Sequence, residues 1–131
     1  MPHSIHTGET FKKLTKAEQL GKDLENSIWV DCEFSHCALD GLQIYGAIFT
    51  RCHFEKVSLY WCSAFQATFI DCKFLRCDLR GDFIEARFIR CGFDQCETGD
   101  NNLGGKTEWT NAVTVECVTS TPLPIIQRED E

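Results

Sequence analysis

Between residues 27 and 98 a large apolar side chain recurs at every fifth position. From Trp29 the series runs Phe34, Leu39, Ile44, Phe49, Phe54, Leu59, Ala64, Phe69, Phe74 and Leu79, with Ala64 the one small member. It slips by one residue at Gly81 and resumes as Phe83, Phe88 and Phe93, with Thr98 as a weak last member. Two residues before each member stands a small or slim residue: Ser27, Cys32, Cys37, Leu42, Ala47, Cys52, Val57, Cys62, Ala67, Cys72, Cys77, Gly81, Ala86, Cys91 and Cys96. A fixed period constrains a chain more than local propensity does. Each copy must adopt the same small structure and bury its apolar face against the next.

A period of five suits neither a helix, at 3.6, nor a strand, at 2.0. It suits about three extended residues followed by a bend. Extended residues two apart share a face, so the large residue and its slim predecessor both point inward. Four such segments close a square turn of roughly twenty residues, and turns stack at about 4.8 Å through backbone hydrogen bonds. The large residues fill the middle; the slim ones line the wall. The expected inner set is Trp29, Phe34, Phe49, Phe54, Phe69, Phe74, Phe83, Phe88 and Phe93, with Cys32, Cys52, Cys72 and Cys91 stacked in one column.

The units CEFSH, CALDG, CHFEK, CKFLR, CDLRG, ARFIR and CGFDQ resemble the pentapeptide-repeat family, whose units read roughly A-(D/N)-L-x-x with Phe or Leu at the centre. The resemblance implies the fold of that family. The expectation is an all-β chain: a right-handed quadrilateral parallel β-helix, a solenoid of about four to five coils at this spacing, with a short N-terminal helical cap.

Nine cysteines invite a disulfide or zinc reading. Their spacing argues otherwise. Apart from the one-residue slip between Cys77 and Cys91 and the step to Cys117, they fall five apart or at multiples of five, not as the C-x2-C that gathers thiolates round zinc. All nine occupy slim sites if Cys117 belongs to a later unit, and a buried thiol behaves as a small hydrophobe. An odd count and no signal peptide point to a reducing cytoplasm. No run of eighteen apolar residues is present, so no membrane-spanning helix is expected. Neither metal nor cofactor is implied.

The expected organisation is an N-terminal extension and cap over 1–26, the coil over 27–98, a loop over 99–106, a degraded last coil or cap over 107–121, and a tail over 122–131. Residues 1–8 read as frayed; His3 and His6 form an H-x-x-H pair that suits a floppy polar terminus better than a metal. Thr15-Lys16-Ala17-Glu18 matches a capping box, with Gly21 as a stop, for a short helix near 16–20. The competing reading makes Phe11, Leu14 and Leu24 an irregular first coil. Gly81 is expected to take the backbone conformation of a shortened corner. Gly99 to Lys106 is a loop by composition, within which Leu103 is an optional inward residue. Thr107 with Trp109, Ala112 with Thr114, and Cys117 with Thr119 read as further units in which Thr has displaced Phe; alternation of Val113, Val115 and Cys117 equally suits a plain strand. Pro122 and Pro124 stop any ladder.

No catalytic constellation stands out. His36 and His53 fall at outward positions beside no obvious nucleophile, and Gly104-Gly105-Lys106 is no phosphate loop. A filled coil offers no cleft, so a non-enzyme is expected. Net charge is −7, of which the coil carries −3, against a direct nucleic-acid or membrane role. Sorting outward residues by wall leaves two adjacent apolar walls. One shows Ile28, Val30, Ile48, Ile70 and Ile89; the other shows Tyr45, Phe65 and Ile84, with Tyr60 and Trp61 at its corner. Such a patch marks an interface or something that covers it. β-propensity alone, or a terminal segment folded over these walls, is the alternative.

The expectation is a non-catalytic protein–protein interaction module whose partner is an unidentified protein or a second copy of itself. The alternative comes from the resemblance. Quinolone-resistance members of the family resemble duplex DNA in shape and acidity and bind DNA gyrase, while other members act in bacterial signalling or secretion. Arg51, Lys56, Lys73, Arg76, Arg80, Arg87 and Arg90 interrupt any acidic stripe, which counts against the gyrase reading.

Overall fold

The computed structural model describes residues 4–21, 24–98, 109, 111–120 and 123. Short strands alternate between two parallel sheets. The first holds β1 (Ile5–Thr7), β3 (Ile28–Val30), β5 (Ile48–Thr50), β7 (Thr68–Ile70), β9 (Arg87–Ile89) and β11 (Val113–Val115) in that spatial order. The second holds β2 (Thr10–Lys12), β4 (Glu33–Ser35), β6 (His53–Glu55), β8 (Lys73–Leu75), β10 (Gly92–Asp94) and β12 (Val118–Thr119). Two further walls are joined by single-residue bridges, Ala38 to Ser58 to Asp78 to Glu97 and Gln43 to Ser63 to Asp82. The chain is therefore an all-β parallel solenoid with four walls.

Register measures each turn. Ile5 pairs with Ile28, Ile28 with Ile48, Ile48 with Thr68, Thr68 with Arg87, and Arg87 with Val113, steps of 23, 20, 20, 19 and 26 residues. The middle turns follow the five-residue period; the outer ones carry insertions. In the first turn the extra residues include a 3-10 turn, Ala17–Leu20, so the helical and first-coil readings of 9–26 coexist. The turn is held by Gln19, not Glu18: its Oε1 accepts the N–H groups of Thr15 at 2.6 Å and Lys16 at 3.1 Å.

The reading of 1–8 as frayed is corrected from residue 4 onward. β1 pairs with β3, and the His6 ring stacks on Trp29 at 3.8 Å and 8°. Its Nδ1 lies 3.0 Å from Glu9 Oε1 and its Nε2 3.2 Å from Ser4 Oγ, so the terminal ring of the column is fully hydrogen bonded. The ladder thus begins ahead of residue 27. His3, Leu103, the 99–106 loop, Thr107, and Pro122 and Pro124 of the tail lie outside the described residues.

Two aromatic ladders fill the solenoid. Trp29, Phe49, Phe69 and Phe88 stack behind the first sheet at 5.0–5.6 Å; Phe11, Phe34, Phe54, Phe74 and Phe93 stack behind the second at 4.8–5.1 Å. Rings of one ladder meet the other edge-on, as Phe69 does Phe74 at 5.5 Å and 68°. Offset and edge contacts of this kind add about 0.5–1.5 kcal/mol each beyond burial. Trp29 is tolerated inside because Ser27 is its slim partner. Its Nε1–H donates to Ser27 Oγ at 2.8 Å, and Ser27 donates to Leu24 O at 2.6 Å. At the other end Thr114 pairs with Phe88, and Trp109 fills the space Thr114 leaves, stacked on Phe88 at 5.2 Å and beside Phe83 at 4.6 Å.

The slip at Gly81 has a steric cause. A Cβ there would lie 2.7 Å from Cys62 Sγ and 2.9 Å from Leu59 O. Gly81 is absent from the residues of positive φ, so glycine is required at this shortened corner by space rather than by a left-handed backbone. It serves both as the corner after Leu79 and as the slim residue before Phe83, and only a residue without a side chain fits both.

All nine cysteines are free, eight buried and Cys117 half-buried. They are hydrogen-bonded spacers. Each thiol of the main column donates to a carbonyl one turn back: Cys52 to Trp29 at 3.6 Å, Cys72 to Phe49 at 3.3 Å, Cys91 to Phe69 at 3.2 Å and Cys117 to Phe88 at 3.2 Å. Cys117 therefore belongs to the column, and 113–119 continues the coil.

Candidate interaction surface

Side chains leave the solenoid at two kinds of place, the outer faces of the walls and the corners. A strand of three residues points its middle residue inward and its two neighbours outward. The first sheet thus presents two outer rows. One runs Ile5, Ile28, Ile48, Thr68, Arg87 and Val113, the other Thr7, Val30, Thr50, Ile70, Ile89 and Val115. Ile5, Ile48, Val113 and Val115 are exposed; Ile28, Val30, Ile70 and Ile89 are half-buried among their row neighbours. On the adjoining wall Tyr45 and Phe65 are each 38% exposed and Ile84 is half-buried. The turns carrying them are hydrogen-bonded in register, Gly46 N–H to Phe65 O at 2.9 Å and Gln66 N–H to Ile84 O at 3.0 Å.

Tyr60 and Trp61 behave differently from each other. Trp61 is 51% exposed at a corner. Tyr60 is half-buried beneath the Arg80 guanidinium, 4.9 Å from its ring, and Arg80 is fixed by Asp78 at 2.8 Å. Tyr60 is thus partly satisfied within the chain. The second sheet carries Glu33, His53, Glu55, Lys73 and Asp94, a charged and solvated face.

Corners hold a feature that sorting by apolar residues missed. Between the two sheets, the corner residue of successive turns is Gly8, Asp31, Arg51, Asp71, Arg90 and Glu116. Arg51 grips Asp31 through Nε at 2.8 Å and Nη2 at 3.3 Å; Arg90 grips Asp71 at the same two distances. These hydrogen bonds hold both carboxyls below their usual range and raise both guanidiniums. The signal was present in the sequence as alternating sign at one corner of successive turns.

Chemistry is sparse elsewhere. Among the described residues no three of His, Cys, Asp and Glu gather as a metal site, and no helix is long and apolar enough to cross a membrane. One depression lies between the 3-10 turn and a corner, lined by Ala17, Glu18, Leu24, Leu42 and Gln43. Another lies over β8, β10 and β12, lined by Phe74, Leu75, Phe93, Asp94, Val118 and Ser120. Neither sets a nucleophile beside a histidine.

The family model described as pentapeptide repeats matches, with 8 copies, at residues 23–55. No curated protein matches the chain in sequence. Among solved structures, a pentapeptide repeat protein (Rfr23) from the cyanobacterium Cyanothece 51142 is similar at a TM-score of 0.70 and 10% identity, over 87% of this chain and 88% of that one. QnrB1, a plasmid-mediated fluoroquinolone resistance protein, is similar at a TM-score of 0.51 and 14% identity, over 88% of this chain and 70% of that one. At such identities the likeness concerns the fold. The repeat seen in the sequence, the four-walled solenoid and these neighbours agree: residues 23–55 carry pentapeptide repeats, and the chain has the fold of the pentapeptide-repeat proteins it resembles.

Proposed function

We propose that this protein is a non-catalytic interaction module that grips a protein partner through its two adjoining apolar walls. The observation that carries the reading is the row Tyr45, Phe65 and Ile84 standing in register beside Ile28, Ile48, Ile70 and Ile89. Exposed aromatic and branched side chains set on a hydrogen-bonded frame lose little conformational freedom on binding. Mixed charge at the corners suits a protein partner better than a nucleic acid.

The test compares immobilised wild-type protein with Phe65→Glu in retaining proteins from a lysate. Phe65 is exposed, so the variant keeps the circular dichroism and melting of the wild type. The expected result is a retained protein that the variant no longer holds. Identical retention by the two baits would overturn the reading.

A second reading, gyrase binding by mimicry of duplex DNA, has the structural likeness to QnrB1 in its favour. The alternation of Arg51 and Arg90 with Asp31 and Asp71 stands against it, because a duplex mimic needs a continuous acidic stripe. Retention of gyrase subunits, undiminished by Phe65→Glu, would favour it.

A further inference from the structure

The corner ladder is self-complementary. In spatial order it reads Gly8, Asp31, Arg51, Asp71, Arg90, Glu116: neutral, minus, plus, minus, plus, minus. Turned end for end, its four inner members read plus, minus, plus, minus, and Glu116 falls opposite Gly8, which carries no charge to oppose it. The ladder also borders the outer face of the first sheet, the more apolar of the two sheets. A two-fold axis lying in that face, along the strand direction, superposes these facts. It lays the face of one copy on the face of another with the solenoids antiparallel. Each corner ladder then meets its own reversal, so Asp31 faces Arg90 of the second copy and Arg51 faces Asp71. A two-fold axis along the solenoid instead sets this ladder against the opposite edge of the wall, whose corner residues are Asn26, Gly46, Gln66 and Glu85, and no such match arises.

From this complementarity we infer that the first sheet's outer face is a homodimer interface, its occupant a second, antiparallel copy of this chain. The inference rests on the reading of the apolar walls as an interaction surface and names the occupant of one of them. The apolar rows agree with the axis. Val30 meets Ile89, Thr50 meets Ile70, and Ile48 meets Thr68. The slip at Gly81 leaves this register intact, because Thr68 still pairs with Arg87 and Ile70 with Ile89. Arg87 falls opposite Ile28, where its methylenes cover the isoleucine while the guanidinium reaches solvent. Within one copy the two ion pairs are separate, Asp31 with Arg51 and Asp71 with Arg90. In the dimer the Arg51 to Asp71 contacts join the eight charges of these four corners into one network.

Size sets the strength. Six strands at about 4.8 Å by three residues at about 3.3 Å give a face of roughly 300 Å² per copy. A standard interface buries about 800 Å² per partner. The dimer is accordingly weak, and the charges contribute orientation and choice of partner more than affinity.

The experiment is sedimentation equilibrium on the full chain, from about 5 µM to 500 µM, a range that brackets weak association. The monomer mass is 15.0 kDa. The wild type is expected to rise towards twice that mass, and to do so less in high salt. Arg51→Asp sets a new carboxylate against Asp71 of the other copy twice over, and Asp71→Arg sets a new guanidinium against Arg51 of the other copy in the same way. Each single variant is therefore expected to stay monomeric. An equimolar mixture of the two variants restores every opposite-sign pair across the interface and is expected to form a one-to-one heterodimer. Both side chains are more than a third exposed, so circular dichroism is expected to be unchanged. Ile48→Glu, on the apolar row, is expected to abolish association as well.

A wild type that stays monomeric at every concentration overturns the inference, as does a mixture no more associated than its parts. Those results leave the interaction-module reading standing if Phe65→Glu still abolishes retention of another protein. Conversely, loss of that retention result leaves the dimer intact, since Phe65 lies on the neighbouring wall.

Discussion

The inside of this solenoid and its corners follow opposite rules. Inside, position dictates the side chain: nine of the ten phenylalanines, all but Phe65, sit in the stacked column or pack against it. At the corners position dictates the backbone and leaves the side chain open. Lys13, Asp31, His36, Arg51, Lys56, Trp61, Gln66 and Glu85 all adopt φ between 53° and 62°. A residue with a Cβ in that region carries a steric cost of about 1–2 kcal/mol, yet most corners adopt it. The interior supplies the compensating burial. Selection on surface chemistry therefore acts on corners and outer rows without disturbing the column.

The sharpest way to break the contrast is to remove one ring. Phe69 stacks between Phe49 and Phe88 at 5.0 Å on each side and touches Phe54 and Phe74 edge-on. Phe69→Ala is expected to cost about 4 kcal/mol, within the 3–5 kcal/mol usual for such truncations. Stacked turns bridge the resulting void poorly because their spacing is set by backbone hydrogen bonds. Urea denaturation measures it, and a loss under about 1.5 kcal/mol would mean that neighbouring rings slide in to fill the gap.

Next in size is the one place where corner and interior are the same residue. Gly81→Ala drives a methyl group against Cys62 Sγ and Leu59 O and is expected to cost about 1–3 kcal/mol, as overpacking does. Adding Cys62→Ala is expected to recover only part, since the backbone oxygen remains. Full recovery would show that the thiol alone demands glycine.

Interior thiols give an alkaline pH signature, where the corner carboxyls Asp31 and Asp71 give an acid one. Burial pushes the Cys62 thiol up; neighbouring thiols hold the proton on Cys72 and Cys77, and burial adds to that. A group whose folded value is raised contributes stability that is present below its unfolded value and lost as pH rises towards the folded one. Cys52, Cys91 and Cys96, the partners in those thiol contacts, are held low and contribute the opposite slope below about pH 8.5. Above it, where they are ionised folded and unfolded alike, stability is expected to fall by about 1.4 kcal/mol per pH unit for each raised thiol. Urea midpoints at pH 7.5 and above 9, with reductant present, measure this. Cys72→Ala is expected to flatten the slope, and an unchanged slope would assign it to other groups.

Much of the interior was legible because its constraint is on side-chain volume, which a sequence displays directly. Trp29, the phenylalanines and the slim cysteines declare the period on sight. The first coil was obscured because residues inserted between Leu14 and Leu24 throw His6 and Phe11 out of phase, and a histidine at the head of an aromatic column does not look inward. Ser27 reads as merely slim; that it accepts the Trp29 Nε1–H needs coordinates. Corners stayed silent because their constraint is a dihedral angle, and Lys, Asp, Trp and Gln satisfy it alike. The Asp31 to Arg90 ladder was hidden for the same reason. It emerges only when residues are compared turn by turn, with the one-residue slip at Gly81 taken into account.

The smallest expected effect tests the corner rule itself. Lys56 sits at φ 54° and is exposed, so its side chain contributes little to the fold. Lys56→Gly relieves a steric cost of about 1–2 kcal/mol in the folded state. It also frees the unfolded chain, which costs about 0.5–1 kcal/mol. The terms oppose, and the net expectation is a gain of less than about 1 kcal/mol. The same substitution at Ala67, an inward slim site that is buried and off the corner, keeps the entropic cost, relieves nothing and opens a void. It is expected to destabilise. Opposite signs at Lys56 and Ala67 in matched urea titrations would confirm that the corners are governed by backbone and the column by packing. Equal losses at both would mean that the left-handed corner carries no strain for glycine to relieve.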